Sequence, residues 1–436
     1  MENKQKMKRT EVLEGRSNKE MVLPCGWEIK ELGELGEVVS GLTYSPDMVQ
    51  ENGVLVLRSS NVQNRRIVFT DNVFIKKEGL KFNPVKKDDI LICVRNGSRS
   101  LIGKNAKIDE DSNGLAFGAF MSVFRSDFND YLFHAFDTDI YNKEIHVNLG
   151  ATINSINGSD LKRFKIPLPP LQEQRAIANI LSTWDSAINL TQNLISQKEA
   201  EKKWLMQNLL TGKKRLKGFE ESNKNHITDL GVSFPLDWKI LKVKEVFKER
   251  KETSSNQSEY PLFSLTIEKG LTEKTDRYER SFLLKDQDNN EYKLIYPNDI
   301  LFNPMNLRFG AIAKSKINKI VSVSAYYNSI FVNKEEINVD FYEALFKTPQ
   351  FFNLYERIAI GSLMEKKRVH LSNFLLLEIP CPTLDEQTAI AQVLQTADKE
   401  IEILKTKLDQ QKLQKKGLMQ VLLTGRVRVK NKLNRI

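Results

Sequence analysis

The sequence predicts an α+β protein with an internal repeat. Two domains with curved β-sheets are separated by two long antiparallel helices that form a coiled coil. Three observations support this fold class: a Pro-rich helix start occurs twice, a series of short strand-like runs precedes each copy, and each copy leads into about 40 residues with a narrow apolar stripe. Two similar halves also predict a pseudo-two-fold arrangement.

Composition narrows the class of protein. The 436 residues include 66 Lys+Arg and 56 Asp+Glu, and this basic excess favours a polyanionic partner without proving one. We find no apolar run that suits a transmembrane helix or a signal peptide. The three cysteines lack CxxC spacing, so neither a disulfide framework nor a zinc site is indicated. We expect a cytoplasmic protein without a membrane partner, and a flexible N-terminal tail over residues 1–20.

The first domain is expected over residues 21–165. Its strand-like runs are GVLVLRSSNV, DDILICV and FMSVFRS, and a helical patch lies near YLFHAFDTDIYNKEI. Forked Arg and amide donors match the edges of guanine and adenine, and Lys or Arg also neutralises phosphate, although a solvated loop would show the same residue types. The candidate DNA-binding residues are Arg58, Asn61, Asn64, Arg65, Arg66, Arg95, Asn96, Ser98, Arg99 and Lys104.

A central helical spacer is expected over residues 166–217. The stretch IPLPPLQEQ keeps the chain extended before a helix that we predict over 171–211, with Gly212 as the residue after its C-terminus. The apolar spacing of this helix is that of a coiled-coil seam, which breaks at Thr191 and then resumes. The predicted seam residues are Ile177, Leu181, Trp184, Ile188 and Ile195.

The second domain is expected over residues 218–377. Its strand-like runs are YPLFSLTI, NDILFN and NSIFVN, and its helical patch lies near DFYEALFKTPQFFNLYERI. Its loops carry a second group of candidate DNA-binding residues with donor or aromatic side chains. These are Asn303, Asn306, Arg308, Tyr326, Tyr327, Asn328, Lys366, Lys367 and Arg368.

A distal spacer is expected over residues 378–436. A helix is predicted over 384–424, with Thr383 and Glu386 at capping-box spacing and Gly425 after its end. The following RVRVK predicts a basic strand, whose charged face is either solvated or in contact with a phosphate or partner. The predicted seam residues of this helix are Ile390, Leu394, Ala397, Ile401, Leu404 and Leu408.

The two spacers are copies of each other. At an offset of 213, residues 166–217 and 379–430 are identical at 25 of 52 positions, whereas the domains before them share only short matches such as DDIL and NDIL. The spacers have therefore stayed similar while the domains diverged.

Catalytic motifs are not found in the sequence. NPMN only half resembles a methyltransferase motif and has no Gly-rich cofactor loop beside it, and LTGKKR lacks the upstream glycine of a P-loop. The four histidines show no metal-ligand spacing. We therefore expect a chain that is not an enzyme and holds no cofactor or metal of its own.

The paired stretches IPLPPLQEQRAIANIL…LMQNLLTGKKR and IPCPTLDEQTAIAQVL…LMQVLLTGRVR, each after a divergent domain, resemble the specificity subunit of type I restriction–modification systems. The resemblance implies that each domain is a target-recognition domain that reads one half of a bipartite site on double-stranded DNA. It implies that the helical spacers set the half-site separation and dock two modification subunits, which use S-adenosylmethionine to methylate adenine. It also implies restriction subunits, which use ATP and Mg.

Two other hypotheses remain open at this level. The chain could be a non-catalytic coiled-coil scaffold that does not read DNA, or a nuclease or methyltransferase in its own right. The break at Thr191, together with Thr383 in the place of Pro170, also means that the two helices need not pair in a symmetric register.

Overall fold

The computed structural model describes residues 23–149, 154–219, 225–228, 231–273, 291–362 and 367–429. These residues form two compact units. Unit 1 combines the described residues up to Gln192 with those from Lys407 onward, and unit 2 comprises those from Asn193 to Thr406. The division falls within both long helices, so each unit contains one β-rich domain and a part of each helix. None of the helices in the described ranges has the length and apolarity needed to cross a membrane.

The β-rich domain of unit 1 consists of short strands and helices. Its strands are β1 (Glu28–Glu31), β2 (Glu37–Ser40), β3 (Val49–Gln50), β4 (Val54–Leu57), β5 (Val62–Gln63), β6 (Arg66–Ile67), β7 (Phe74–Ile75), β8 (Ile90–Cys93), β9 (Asn105–Lys107), β10 (Ala116–Phe117), β11 (Met121–Arg125) and β12 (Lys165–Leu168). Its helices are α1 (Leu32–Leu35), α2 (Asn129–Ala135), α3 (Asp139–Asn148), α4 (Gly158–Lys162) and the first part of α5 (Leu171–Leu209).

Two four-stranded sheets and a β-ribbon organise unit 1. The strand orders are β2-β11-β8-β9 and β10-β4-β7-β3, and β1 pairs antiparallel with β12. All four residues of β8 are buried, as expected for the apolar run ILIC in the interior of a sheet. The core beside this sheet includes Trp27, and Ile177 and Leu181 from the first turns of α5 pack into it. The start of the long helix is therefore part of the domain core.

Unit 2 repeats this plan with a longer set of strands. These are β13 (Asn225–Ile227), β14 (Ser233–Pro235), β15 (Lys239–Lys242), β16 (Phe247–Glu249), β17 (Thr253–Ser254), β18 (Phe263–Thr266), β19 (Gly270–Glu273), β20 (Tyr292–Ile295), β21 (Ile300–Phe302), β22 (Ile312–Lys314), β23 (Val321–Val323), β24 (Asn328–Val332) and β25 (Glu378–Cys381). Its helices are α6 (Val243–Val246), α7 (Val339–Phe346), α8 (Pro349–Ile358), α9 (Leu371–Phe374) and α10 (Leu384–Leu422), which ends in unit 1.

One sheet is preserved between the units and the other is not. The order β16-β24-β21-β22 matches β2-β11-β8-β9, and β15 pairs with β25 as β1 pairs with β12. The second sheet of unit 1 has no equivalent of the same order in the described part of unit 2, where β17-β20-β23 and the hairpin β18-β19 are found instead. The predicted α+β fold with an internal repeat is confirmed, and the divergence of the domains is concentrated in the second sheet.

Some predicted boundaries change. Strand β12 pairs with β1, so the domain limit expected between residues 165 and 166 falls inside a strand of the first domain. The expected C-terminal strand is wrong for its described part, because residues 426–429 form bends and irregular backbone. Residues 1–20, expected to be a tail, and the end of the chain beyond 429 lie outside the described residues.

Both long helices end near a glycine, as predicted. They stop at Leu209 and Leu422, two residues before the expected positions, and Gly212 and Gly425 follow with φ of +66° and +69°. This left-handed conformation suits glycine. A Cβ at Gly212 would also collide with the ring of Pro235. The glycine therefore permits close contact between the helix end and the start of the domain.

Candidate nucleic-acid interface

In unit 1, the two predicted groups of DNA-binding residues lie next to each other. The Asn96 amide nitrogen donates to the Ser59 hydroxyl oxygen at 3.0 Å, and the Lys104 ammonium donates to the Ser59 carbonyl at 3.3 Å. Ser59 belongs to the segment after β4, whereas Asn96 and Lys104 lie in the segment between β8 and β9. The fold thus joins residues that are about 40 positions apart into one surface.

A third segment joins this surface through Phe120. The Arg95 backbone N–H donates to the Phe120 carbonyl at 3.1 Å, and the Arg95 guanidinium lies 5.6 Å from the centre of the Phe120 ring. On the other side of the same loop, Ile156 N–H donates to the Val94 carbonyl at 2.9 Å. Three loops therefore meet at the end of β8, and Arg95 stands among them with an exposed side chain.

Asn61, one of the predicted DNA-binding residues, is held inside its own turn. Its side chain is fully buried. The carboxamide oxygen accepts from the Arg58 N–H at 3.0 Å, and the amide nitrogen donates to the carbonyls of Val68 and Thr70. A buried amide with these partners stabilises its turn and has no free edge for a base. The Arg58 guanidinium is also engaged, because it donates to the Asp71 carboxylate at 2.8 Å.

Arg65 is likewise held by its own domain. Its guanidinium donates to the carbonyls of Phe133 and Phe136, lies 4.1 Å from the centre of the Phe133 ring, and is 3.5 Å from the Asp137 carboxylate. Burial lowers the pKa of this guanidinium, and the Asp137 charge opposes that shift. Arg65 therefore fixes the segment after β5 to helix α2, and a DNA contact by this residue stays a prediction.

The remaining predicted residues of unit 1 keep accessible side chains. Arg66 and Arg99 are exposed. Ser98 is exposed, and its hydroxyl lies 2.9 Å from that of Ser100. Asn64 is exposed with φ of +49° in the β5–β6 turn. These residues and Arg95 provide the accessible donors of this surface.

Unit 2 brings its predicted residues together in the equivalent place. The Val369 N–H donates to the Pro304 carbonyl at 2.9 Å, as Ile156 does to Val94 in unit 1. Asn328 starts β24 and pairs with Phe302 at the end of β21. The loop after β21, the turn before β24 and the segment near Val369 therefore form a second three-loop surface.

Arg308 does not offer a free guanidinium on that surface. It is buried and donates to the Glu356 carboxylate at 2.6 Å, and Lys367 donates to the other oxygen of Glu356 at 3.0 Å. The Glu356 carboxylate therefore engages the Arg308 guanidinium within the domain, and a DNA contact by Arg308 stays a prediction. Lys366 lies outside the described residues.

Other side chains of this second surface are more accessible. Asn303 accepts the N–H groups of Met305 and Asn306 with its carboxamide oxygen and so shapes the loop, while Asn306 itself is exposed. Arg368 and Tyr326 are also exposed. In contrast, Tyr327 packs against an apolar cluster of the second domain, and Asn328 is half-buried in its strand.

Exposed apolar residues on these surfaces were not predicted. Phe120 was assigned to the strand run FMSVFRS, but it lies in the turn before β11 and is 57% exposed. Met305 and Phe309 are exposed in the loop after β21. A hydrophobic side chain beside a strand cannot be distinguished from a strand residue by alternation alone, so the sequence offered no signal for them.

Each domain is fastened to the long helices by a Trp–Glu–Arg cluster. In unit 1, the Glu173 carboxylate near the start of α5 accepts from the Trp27 indole N–H at 3.1 Å. Arg428 donates two hydrogen bonds of 2.7 Å to the same carboxylate. A bidentate Arg–carboxylate pair fixes both position and orientation. The chain after α10 is thereby joined to the start of the first domain.

Unit 2 has the matching cluster. The Glu386 carboxylate accepts from the Trp238 indole N–H at 3.0 Å and from Arg215 at 2.5 and 2.8 Å. Arg215 also pairs with Asp237 at 3.0 Å. Glu386 therefore does not complete the predicted capping box with Thr383, although its own N–H does reach the Thr383 hydroxyl at 3.4 Å. The repeat in the sequence corresponds to a repeat of this anchoring chemistry.

Ion pairs join the long helices inside each unit. In unit 2, Lys198 pairs with Glu400 at 3.0 Å and Lys202 with Asp398 at 2.5 Å. The partner number falls as the first number rises, so the helices run antiparallel. In unit 1, Lys415 is buried and pairs with Asp185 at 2.6 Å.

His134 on α2 also approaches Asp185 in unit 1. Its Nδ1 lies 3.7 Å from the second carboxylate oxygen, and its Nε2 lies 3.1 Å from the Ser182 hydroxyl. Burial lowers the pKa of His134 to about 3, with Lys415 acting in the same direction. The imidazole is therefore neutral at pH 7 and connects the domain to α5 through a neutral hydrogen bond.

The predicted seam residues are buried or half-buried. The buried group is Ile177, Leu181, Ile188, Ile195, Ile390, Leu394 and Ile401. The half-buried group is Trp184, Ala397, Leu404 and Leu408. Thr191, where we expected a break, is also buried, and its hydroxyl donates to the Ala187 carbonyl at 2.9 Å. The stripe therefore continues through Thr191, because a hydroxyl that bonds its own helix can be buried.

Among the described residues, no group of three or more His, Cys, Asp or Glu side chains is placed to hold a metal ion. The arrangement on the two three-loop surfaces is that of hydrogen-bond donors and apolar contacts. Such surfaces recognise other molecules by shape and donor pattern.

Comparison with known proteins identifies relatives over most of the chain. The sequence profile described as "Type I restriction modification DNA specificity domain" matches residues 24–200 and 235–412. A Methanocaldococcus jannaschii protein, provisionally assigned as the MjaX type I restriction enzyme specificity subunit, is 28% identical, and the match covers 94% of this chain and 95% of that protein.

Two solved structures share the fold. A type I restriction–modification S subunit from M. genitalium aligns with a TM-score of 0.58 at 16% identity, covering 95% of this chain and 99% of that one. A chain from a study of complex assembly and conformational transition of the type I R-M system aligns with a TM-score of 0.54 at 16% identity, covering 93% and 99%.

Proposed function

The chain belongs to the family of type I restriction modification DNA specificity domains, and from this premise we propose that it is the DNA specificity subunit of a type I restriction–modification complex. Each β-rich domain reads one half of a bipartite DNA target. The helical spacers set the number of unread base pairs between the half-sites. The chain itself has a recognition role and is not catalytic.

The observation that carries this proposal is the contrast between constant anchors and different reading surfaces. Glu173 and Glu386 each accept hydrogen bonds from one Trp and one Arg at equivalent positions of their own unit. The three-loop surfaces have the same place in the fold but different side chains, with Arg95 on one and Met305 on the other. A protein that keeps its partners while its DNA target changes needs this division.

The accessible side chains suit duplex DNA. Arg and Asn reach guanine and adenine edges in the major groove, and each well-placed bidentate pair contributes about 1–3 kcal/mol of discrimination. Additional Lys and Arg contacts to phosphate fix the register and make the affinity fall with salt. When one chain carries two reading surfaces, their selectivities for DNA sequence multiply. The combined selectivity exceeds that of a single domain with a few base contacts.

The partners that we propose are two modification subunits and the restriction subunits. Leu190 is 69% exposed in unit 1, and Ile403, which is 213 positions later, is 67% exposed in unit 2. Similar apolar residues at equivalent repeat positions suit two copies of one partner. S-adenosylmethionine belongs to the modification subunits, and ATP and Mg to the restriction subunits. We also propose that the complex acts in the cytoplasm, with the DNA that it reads.

The decisive test exchanges one recognition domain. The described first domain, cut in the linkers before Trp27 and after Leu168, is replaced by that of a relative, and the chain is produced with its modification subunit. Methylation mapping by long-read sequencing should show one altered half-site and one unchanged half-site. A motif in which both halves change, or neither, would contradict modular reading.

A coiled-coil scaffold that does not read DNA would behave differently. In a gel-shift assay, the complex with modification subunits should bind duplex DNA with an affinity that falls steeply between 50 and 200 mM salt. Leu190→Glu should weaken retention of the modification subunit without removing its second copy, and the exposed Val147 in the same unit offers the matched control Val147→Glu. If the double variant Leu190→Glu, Ile403→Glu still retained both modification subunits, these two residues would not belong to the interface.

A further inference from the structure

The first reading surface contains five predicted arginines, and their availability differs. Arg58 and Arg65 are already bonded inside the domain. Arg66, Arg95 and Arg99 are exposed. A planar guanidinium recognises a base edge only when its donors are free, and these three residues meet that condition best.

Arg95 differs from the other two because both its backbone and its side chain are supported. Its N–H donates to the Phe120 carbonyl at 3.1 Å, and it forms an antiparallel bridge with Ser155. Its guanidinium faces the Phe120 ring at 5.6 Å. Among the residues that the structure describes, no hydrogen bond or ion pair occupies this guanidinium. The donors are therefore free while the position is fixed.

Phe120 has a clear part in this arrangement. It is 57% exposed, yet its carbonyl receives the N–H groups of both Val94 and Arg95, at 3.0 and 3.1 Å. An exposed contact between a cation and an aromatic ring shifts a side-chain equilibrium by roughly 2- to 5-fold. Phe120 thus favours one orientation of Arg95 before any ligand binds, which reduces the entropy lost on binding.

We propose that Arg95 recognises a guanine in the half-site read by unit 1, through paired hydrogen bonds to O6 and N7, and that Phe120 is the positioning residue for its guanidinium. Arg to guanine is the commonest specific base contact in the major groove, and it requires both donors of the fork. This inference rests on the proposed function and names the base contacted within it.

Unit 2 has a different chemistry at the same place. The pairs Ile156–Val94 and Val369–Pro304 are equivalent backbone contacts, so Met305 takes the place of Arg95. Met305 carries no hydrogen-bond donor in its side chain. The neighbouring Arg308 is bonded to Glu356. A change at Arg95 therefore alters one position of one half-site only.

The experiment uses the full chain with its modification subunit in a strain without other type I systems, and it maps methylated motifs. Arg95→Met gives unit 1 the side chain of unit 2, and Arg95→Lys keeps the charge but removes the fork. Arg95→Met should relax one base, a guanine on one strand, with discrimination at that base reduced roughly 5- to 150-fold, and Arg95→Lys, whose ammonium can still donate to guanine, should reduce it less. Phe120→Leu should keep the motif and lower the methylation rate by about 2- to 5-fold. Lys77→Ala, an exposed charge removed in the same unit, should leave the motif unchanged.

A second measurement keeps the protein unchanged and alters the DNA. Replacing the guanine at the assigned position by 7-deazaguanine removes N7, so the wild-type complex should bind more weakly while the Arg95→Met complex should not respond. An intact motif with Arg95→Met, a relaxed base pair other than G·C, or equal responses to 7-deazaguanine would overturn the assignment of Arg95. Absence of any sequence-specific methylation by the wild-type complex would instead overturn the proposed function.

Discussion

The two Trp–Glu–Arg clusters predict different costs for the same substitution. The Glu386 side chain is 2% exposed and that of Arg215 is 9%, whereas Glu173 is 7% exposed and Arg428 is 41%. Removing one partner of a buried pair costs about 3–5 kcal/mol because the other charge stays buried. A pair with a solvated partner loses much less, since water replaces the carboxylate. Asp237 still pairs with Arg215 after Glu386→Ala, so we expect this substitution to destabilise unit 2 by about 3 kcal/mol, the lower end of that range.

We expect Glu173→Ala to destabilise unit 1 by about 2 kcal/mol, chiefly because the Trp27 indole loses its hydrogen-bond acceptor. Hydrogen exchange measured by mass spectrometry gives the free energy of opening separately for peptides of β1 and β12 and for peptides of β15 and β25. Glu51→Ala, at an exposed position, serves as the control. Equal costs for the two substitutions, or a larger cost for Glu173→Ala, would refute the reasoning that solvent access to the arginine decides the energy.

Three further outcomes are expected. Asp185→Asn should cost a few kcal/mol of stability because it leaves the buried Lys415 ammonium unpaired. Adding Lys415→Met removes that charge and should restore the lost stability. Urea unfolding of the single and double variants checks this. Burial raises the pKa of the Cys93 thiol to about 11, so at pH 8 iodoacetamide should label the exposed Cys25 and leave Cys93 unlabelled in intact-mass spectra. Leu394→Ala should lower the stability of unit 2 by about 2–5 kcal/mol in hydrogen exchange, since Leu394 is buried in its core.

Much of the fold was predictable because its signals are local. The helix starts at Leu171 and Leu384 follow from prolines and repeat spacing, and Gly212 and Gly425 take the left-handed conformation that ends a helix. Thr191 was predicted to break the apolar stripe because its side chain is polar. Its hydroxyl donates to a carbonyl of its own helix, and this hydrogen bond, which allows burial, is not visible in the sequence pattern.

The site was predictable as a region and less so by residue. Loop composition located the arginines, but the sequence could not show which of them form hydrogen bonds or ion pairs inside their own domain. Asn61 and Arg308 are buried through contacts with residues up to 48 positions away, and such long-range partners leave no local pattern. Phe120 was not identified because it immediately precedes β11, and its apolar side chain continues the strand pattern.

The composition of the units has a consequence for how the chain is made. Unit 2 is one continuous stretch of polypeptide, but the core of unit 1 includes Met419 and Leu422, which are synthesised after all of unit 2. The core of the first domain is therefore complete only once residues 419–423 have been synthesised, although most of its residues are synthesised much earlier. A polypeptide that stops before Met419 lacks part of the core of unit 1, whereas the segment of unit 2 is already present in full.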